Sequence, residues 1–305
     1  MTNPEAETHF KYWVLLTAIT LLTLSGCDET FQPFQESDTT IFSIQGYLDA
    51  AADTQWVRVG TIRQNIEEPP NPEGILVTLR DLESGKTVVM NDSLIASRNV
   101  LSYWTTMDIK HEQTYEIVAE QADGNESRVT LTTPLELPPV YITFQGGVGV
   151  TPGVSIWIDD SIEHIADLQS VWYVIINPGT ENRRKIFTFP LRNKLKHSRS
   201  YSGTYTTVVD WENEMAQIQR EVGMGAEVSV VKRQIFAASG GPEWNDNISS
   251  INDLEYFLAG YDTNVENGLG YVVGISSKWF RQDTCYGPDG SNSGPCESEK
   301  PYWYP

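Results

Sequence analysis

Apolar and polar residues alternate one by one through much of this 305-residue chain. In GILVTLRD, Ile75, Val77 and Leu79 share one face of an extended backbone, and EQTYEIVAE and SRVTLTT repeat the pattern. Turn formers separate these segments, as in ESG, NDS and DGN. Because successive side chains of a strand point to opposite sides, this period of two predicts half-buried β-strands. Short strands at such spacing favour an antiparallel sandwich or barrel over a parallel sheet.

The alternation divides into two β regions. Residues 39–133 have the size of an immunoglobulin-like β-sandwich of seven or eight strands. Tyr115 lies near the start of a late strand, where such folds carry a tyrosine corner. Residues 134–139, PLELPP, contain three prolines and no alternation, which predicts a Pro-rich linker. A second β-rich region follows over residues 140–282.

Two helices are predicted within the second region. Asp210 can cap WENEMAQIQREV, whose apolar residues recur at i, i+4, i+7 and i+11 before Gly223. Ser250 can cap INDLEYFLA, with Asp253 completing a capping box and Gly260 ending the helix. Each helix has one apolar stripe, which indicates packing against a sheet. The predicted fold class is therefore mainly β, with two short helices.

The first 38 residues are typical of an exported, lipid-anchored protein. The thirteen-residue apolar stretch YWVLLTAITLLTL has the length of a signal-peptide core, whereas a spanning helix needs ~20 residues. The sequence LSGC that follows resembles a bacterial lipobox, whose cysteine is diacylglycerol-modified. We predict a signal peptide over residues 1–26, lipidation of Cys27 and a tether over residues 27–38. The alternatives are an ordinary signal peptide with a chance cysteine, or a buried N-terminal helix.

The charge of the chain limits its partners. The formal net charge is -20 at pH 7. Nucleic acids and anionic headgroups would repel such a protein at long range. We therefore predict no nucleic-acid partner, and membrane contact only through the acyl chains on Cys27.

Two further cysteines, Cys285 and Cys296, flank the turn-forming sequence YGPDGSNSGP. In an exported protein a disulfide is the default for such a pair. A metal site is the alternative, but no histidine lies nearby in the sequence. We predict that residues 283–305 form a disulfide loop and an aromatic tail.

Three sequences approach catalytic motifs without completing them. HEQTY has Tyr115 where a zinc protease needs its second histidine. GGVGVTP has Pro152 in place of the last glycine of a dinucleotide loop. GSNSG has Asn292 where a nucleophile elbow needs serine. The sequence therefore predicts no catalytic residues, no enzymatic activity and no organic cofactor.

Acidic residues are densest in IDDSIEH. Asp159, Asp160 and Glu163 are candidate Ca²⁺ ligands, because hard cations prefer clustered oxygen ligands. The spacing is not that of an EF-hand loop, which favours a solvated loop over a cation site.

Tryptophan and tyrosine supply the remaining candidate contacts. Trp56, Trp104, Trp244 and Trp303 are expected beside turns or in loops, where rings can stack on sugars or anchor a protein partner. The alternative is that most of the tryptophans belong to the core. Prolines bracket the tail YWY, so we expect its three aromatic residues to be accessible to a partner. These residues are Tyr302, Trp303 and Tyr304.

Several segments together resemble a known family. They are the lipobox, FSIQGYLD with Gly46 and Tyr47, TPLELPPV, and NVENGLGYVVG near the end of the chain. This combination resembles domain-of-unknown-function family 4249, lipoproteins of Bacteroidota, over residues 38–280. The resemblance implies a lipid-anchored protein of the outer membrane, exposed at the cell surface, often associated with TonB-dependent transport. A periplasm-facing orientation is the alternative. Asp28 and Glu29 after Cys27 resemble a surface-export signal of Bacteroidota lipoproteins, but an Asp there also resembles an inner-membrane retention signal of enterobacterial ones.

Two functions follow from these observations. The first is a non-enzymatic accessory lipoprotein that binds a TonB-dependent outer-membrane receptor, or its cargo, through loops and edge strands. The second is a surface glycan-binding or glycan-degrading protein. A deep acidic cleft would favour the second, and an exposed aromatic patch on a convex surface would favour the first. We favour the first.

Overall fold

The structure, a computed structural model, describes residues 42–61, 73–95, 100–147, 150–197, 204–248, 251, 263–282, 299–300 and 302. These residues form eighteen strands, one α-helix and one short 3-10 turn, so the predicted mainly β class is confirmed. The signal peptide, the tether, the second predicted helix and the cysteine loop lie outside the described residues.

The elements follow in chain order. The strands are β1 (Phe42–Asp49), β2 (Gln55–Thr61), β3 (Ile75–Asp81), β4 (Thr87–Val89), β5 (Asn91–Ile95), β6 (Val100–Thr105), β7 (Thr114–Gln121), β8 (Glu126–Thr132), β9 (Val140–Gly147), β10 (Val150–Asp159), β11 (His164–Ile176), β12 (Arg183–Pro190), β13 (Lys196–His197), β14 (Thr204–Asp210), β15 (Val228–Gly240), β16 (Val265–Glu266), β17 (Gly268–Leu269) and β18 (Val272–Arg281). The α-helix, α1, is Trp211–Val222, and the 3-10 turn is Arg192–Lys194.

The first eight strands lie in two sheets around a shared apolar core. One sheet contains the order β1-β2-β6-β5, and the other contains β8-β7-β3-β4 with β16 beside β8. Antiparallel register pairs Leu79 of β3 with Ile117 of β7. Both side chains are fully buried and share one apolar cluster with Val57 and Ile44 of the opposite sheet. The alternation in the sequence thus predicts which face of these strands is buried.

Strands from both sides of residues 134–139 belong to one nine-stranded sheet. The order is β12-β11-β15-β18-β1-β2-β6-β5, with β17 beside β1. The two halves meet where β1 pairs with β18 in parallel, from Gly46 opposite Val272 to Asp49 opposite Ile275. Among the described strands of this sheet, β17 and β18 run parallel to their neighbour β1, and the other pairs are antiparallel, as predicted.

The sequence NVENGLGYVVG makes this parallel pairing sterically feasible. Gly270 has φ +113, and a Cβ there would lie 2.0 Å from the carbonyl oxygen of Ile44. The side chain of Asn264 donates to the carbonyl of Val272 (2.6 Å) and accepts from its N–H (3.0 Å). Only glycine tolerates this φ and this short distance to the Ile44 carbonyl. Gly270 therefore allows the last long strand to lie beside the first, and the hydrogen bonds of Asn264 hold the segment in place.

A second sheet packs on the later half of the nine-stranded sheet. It has the order β13-β14-β10-β9. Its inward residues, including Ile156 and Val209, share a buried cluster with Leu168, Ile235 and Phe280 of the larger sheet. The core of this half is therefore a layer between two sheets.

Helix α1 begins and ends where the sequence predicts. Asp210 accepts a hydrogen bond from the N–H of Asn213 (3.0 Å), and Gly223 ends the helix with φ +102. The predicted apolar stripe contacts β11 and β12; it comprises Trp211, Met215, Ile218 and Val222. In the part of the chain that the structure describes, no helix has the length and apolar character that crossing a bilayer requires.

Candidate functional site

An open groove lies between α1 and β15. It measures about 730 Å³, and its walls include Trp211 and Met215 of the helix and Val230, Val231 and Arg233 of the strand. Binding sites are commonly concave, mostly apolar and supplied with a few polar groups. The groove is therefore the candidate functional site of the described residues.

The register of β15 explains why the groove is open. β15 pairs with β11 along its whole length, from Val228 to Gly240. On its other side β18 pairs only from Gln234, and the N–H of Gln282 then donates to the carbonyl of Arg233 (3.2 Å). No strand among the described residues pairs with that side of residues 228–232. Side chains from both faces of β15 line the groove, so the groove surrounds this edge.

Two cations stand at the edge, one on each face of β15. The guanidinium of Arg233 lies 3.6 Å from the ring centroid of Trp211 and 5.3 Å from that of Trp172. On the other face, Lys232 Nζ lies 2.8 Å from a carboxylate oxygen of Glu299. Cation–π contact stabilises Arg233 and covers one face of each indole. Trp172 is also buried, so it offers no face for stacking.

Helix α1 carries a carboxyl group, that of Glu214, on its buried face. Glu214 Oε2 accepts hydrogen bonds from Ser170 Oγ (2.8 Å) and Trp172 Nε1 (2.6 Å). Glu214 Oε1 has no hydrogen-bond partner among the described residues. Burial raises the pKa of this carboxyl above its ordinary value, although the two donors oppose the shift. Sequence reasoning missed Glu214, because the helix pattern identifies only the apolar members of the buried face.

The polar network continues from Glu214 to the groove. Gln282 Nε2 donates to Ser170 Oγ (3.2 Å), and Trp211 Nε1 donates to Gln282 Oε1 (2.9 Å). Gln282 and Trp211 both line the groove. The network fixes the orientation of the groove wall rather than exposing the carboxyl group, which is 3% exposed.

A smaller pocket of about 320 Å³ contains His164, Arg192 and Asp246. Arg192 donates to the carbonyl of Ile165 (2.5 Å), to that of Ile248 and to Asp246 Oδ1 (3.0 Å). His164 Nδ1 lies 3.5 Å from the same carboxylate oxygen. Arg192 is thus a structural link between β11 and the segment after β15.

The acidic cluster predicted as a weak Ca²⁺ site lies at the turn between β10 and β11. Asp159 Oδ1 accepts a hydrogen bond from the N–H of Ser161 (2.8 Å), which closes the turn. Glu163 Oε1 lies 3.8 Å from His164 Nε2. Among the described residues, no three His, Cys, Asp or Glu side chains form a group that could hold a metal ion. Asp159, Asp160 and Glu163 do not converge.

The tryptophans differ in their exposure. Trp56 and Trp104 lie near the ends of β2 and β6, and their ring centroids are 5.9 Å apart. Trp56 is 47% exposed, whereas Trp244 is buried at 4%. Trp244 therefore belongs to the core. Its ring is covered because it packs in a core cluster with Tyr271.

Tyr302 is the described member of the aromatic tail. Its ring meets Tyr173 edge-on at 5.4 Å between centroids, and its N–H donates to Gln234 Oε1 (3.0 Å). The residue is half-buried against the nine-stranded sheet. Trp303, Tyr304, Cys27, Cys285 and Cys296 lie outside the described residues.

No protein-family model matches the sequence, and no curated protein matches it. Its structural neighbours include two solved structures of pullulanase from Anoxybacillus sp. LM18-11, one of them complexed with maltotriose. The complex has a TM-score of 0.21 at 10% identity, and the other structure has 0.19 at 9%. Each match covers 65% of this chain and 24% of the pullulanase chain, so this chain spans about a quarter of that length. Scores at this level carry no argument about fold or function.

Proposed function

We propose that this protein is a non-enzymatic binding protein, anchored in the outer membrane through Cys27, that serves a TonB-dependent transport system. The observation that carries the proposal is the edge of β15 at residues 228–232, which lies beside α1 and pairs with no further strand in the described part of the chain. Its partner is an extended segment of the transport receptor.

Strand addition is the interaction that such an edge supports best. An unpaired row of backbone N–H and C=O groups is a template for another strand. Val230 and Val231, 38% and 40% exposed, line the groove at a register shift of β15 and would contact side chains of the added strand. Met215 on the helix provides a further apolar contact.

We also propose that residues 39–133 are an immunoglobulin-like domain, followed by the linker at 134–139. The orders β1-β2-β6-β5 and β8-β7-β3-β4 correspond to strands A-B-E-D and G-F-C-C′ of such sandwiches. Tyr115, at the start of β7, accepts a hydrogen bond from the N–H of Lys110 (2.8 Å), as a tyrosine corner does. Both features support the assignment.

The anchor and the cysteine loop complete the proposal. Residues 28–38, fully extended, would span at most ~36–40 Å from the lipid surface, which leaves the folded part clear of the headgroups. A disulfide between Cys285 and Cys296 would restrain the segment between β18 and Glu299. The motif-based resemblance supports a cell-surface orientation.

Site-specific photo-crosslinking in the native membrane tests the binding site. A photo-reactive residue at position 231 should capture one TonB-dependent receptor, identified by mass spectrometry. The matched position is Val89, which is 61% exposed on β4 of another sheet. Equal capture at both positions, or capture of no receptor at position 231, would contradict the proposal.

A substitution provides the second test. Val231→Asp places a charge in the apolar groove, so we expect the receptor no longer to co-purify with the protein. Val89→Asp should leave co-purification unchanged. Circular dichroism of both variants separates a loss of binding from a loss of fold.

A further inference from the structure

We propose that the outer face of strands β5, β6, β2 and β1 binds a neutral glycan through Trp56 and Trp104. This surface is separate from the groove at β15, and the inference goes beyond the proposed protein-binding function. It does not require that function to be correct.

The strand register places an aromatic row across four adjacent strands. Asn91 of β5 is opposite Trp104, Trp104 is opposite Trp56, and Trp56 is opposite Tyr47 of β1. Residues paired across neighbouring strands project from the same face of a sheet. The two indoles are tilted by 33° with centroids 5.9 Å apart. The two rings are therefore adjacent on this face.

This row points away from the core of the sandwich. The sequence neighbours Val57 and Tyr103 are buried at 1% and 2% and face the opposite sheet. Trp56 is 47% exposed, and Trp104 is half-buried beside it. Tyr47, at the other end of the row, packs against a second buried cluster. Strands hold these rings in place before any ligand binds, which lowers the entropic cost of binding.

The charge of this face matches a neutral ligand. A second row beside the aromatic one consists of neutral side chains and a single cation. Its members are Ser93, Ser102, Arg58 and Gln45. Across both rows Arg58 is the only charged side chain, in a protein whose net charge is -20. An anionic or cationic polymer would find little charge to pair with here.

The chemistry of the two rows fits a sugar. The C–H faces of a pyranose ring pack against an aromatic face, while its hydroxyl groups exchange hydrogen bonds with amide and hydroxyl side chains. Asn91 and Gln45 supply such amides on either side of the indoles. The tryptophans of the groove are less suited to a sugar than this pair, because the guanidinium of Arg233 lies over the ring of Trp211, 3.6 Å from its centroid. Trp56 and Trp104 are therefore the pair suited to stacking.

Titration with soluble oligosaccharides tests the inference. The full chain is purified in a detergent without a sugar headgroup and titrated with maltohexaose, cellohexaose, xylohexaose and mannohexaose. Polygalacturonate serves as a charged probe. Binding is followed by isothermal calorimetry and by the change in tryptophan fluorescence. We expect at least one neutral oligosaccharide to bind, and polygalacturonate not to bind.

Variants locate the site. Trp56→Ala should weaken binding by roughly tenfold or more, and Trp56→Phe, which keeps an aromatic face, should weaken it less. The control is Tyr141→Ala on the four-stranded sheet, since Tyr141 is 45% exposed and as accessible as Trp56. The control should bind like the unmodified protein.

Three results would overturn the inference. The first is that none of the four neutral oligosaccharides binds. The second is that Trp56→Ala binds as tightly as the unmodified protein. The third is that Tyr141→Ala loses as much affinity as Trp56→Ala. The crosslinking at position 231 is independent of all three, so failure here leaves the receptor proposal intact.

Discussion

The carboxylate of Asp49 accepts hydrogen bonds from the backbone N–H (3.1 Å) and the hydroxyl group (2.5 Å) of Ser277, 228 residues later in the chain. Asp49 ends β1, and Ser277 lies within β18, so this contact secures the parallel pair that joins the two halves of the sheet. Burial raises the pKa of Asp49 in spite of these donors. Asp49 and Ser277 thus form a buried polar contact between β1 and β18, the two strands that join the halves of the sheet.

Removing this link should destabilise the protein. Asp49→Ala leaves the N–H of Ser277 buried without an acceptor, so we expect the free energy of unfolding to fall by about 2–3 kcal/mol. Asp49→Asn keeps an acceptor and removes the buried charge, so its loss should be under about 1 kcal/mol. Urea denaturation measures both. Asp53→Ala, at a 97% exposed side chain, is the control. Equal losses for Ala and Asn would contradict this account.

The buried Glu214 should make stability depend on pH. Its folded-state pKa is raised above the ordinary value of 4.5, so the folded protein binds more protons than the unfolded chain above that pH. Its contribution to stability is therefore fully present below pH 4.5 and decreases as pH rises through the raised pKa.

Glu214→Gln should remove this pH dependence. The variant keeps an acceptor for Trp172 and Ser170, so it should gain stability over the unmodified protein as pH rises from about 5 to about 8, as measured by thermal unfolding. Glu212→Gln, on the exposed side of the same helix, is the control. If the stability difference between Glu214→Gln and the unmodified protein did not change with pH, burial of the charged Glu214 would not be its cause.

Gly270 should be intolerant of any side chain. Gly270→Ala combines a φ of +113 with a Cβ 2.0 Å from the carbonyl oxygen of Ile44, so a loss of roughly 4 kcal/mol or more is expected. Gly85→Ala isolates the backbone effect, because Gly85 has φ +72 but no heavy atom within 4 Å of the position that a Cβ would take. That control should lose about 1–2 kcal/mol. If denaturation showed similar losses of unfolding free energy for Gly270→Ala and Gly85→Ala, the close contact with Ile44 would be unimportant.

The hydroxyl group of Tyr115 should contribute to stability. Tyr115→Phe leaves the N–H of Lys110 without its acceptor, and we expect a loss of about 1–2 kcal/mol in urea. Tyr141→Phe, at an exposed site, should change stability by less than about 0.5 kcal/mol. If Tyr115→Phe left the free energy of unfolding unchanged, one of the two supports for an immunoglobulin-like domain would be lost.

Local patterns predict the elements of this fold well. The alternation at Ile75, Val77 and Leu79 identifies a strand and the face that it buries, because a period of two is a property of a single strand. The cap at Asp210 and the stop at Gly223 predict both ends of α1, because these hydrogen bonds form within a few residues. Such features need no knowledge of the rest of the chain.

Relationships between distant strands could not be predicted in this way. Nothing in the alternation of β1 indicates that its second neighbour is β18, since strand order depends on contacts over the whole chain. Likewise, the groove exists because β18 pairs with only part of β15, which is a matter of register. Glu214 was missed for the same reason, because its burial is decided by elements far away in sequence.

The parallel pairing of β1 with β18 has a consequence for biosynthesis. The ribosome completes β1 early and β18 late, and Asp49 is separated from Ser277 by 228 residues. At ~5–20 residues per second, the edge of β1 stays without its final neighbour for roughly 10 to 50 seconds. An unpaired strand edge is prone to association with other chains. The nascent chain therefore needs protection, by a chaperone or by delayed folding, until its last long strand has been made.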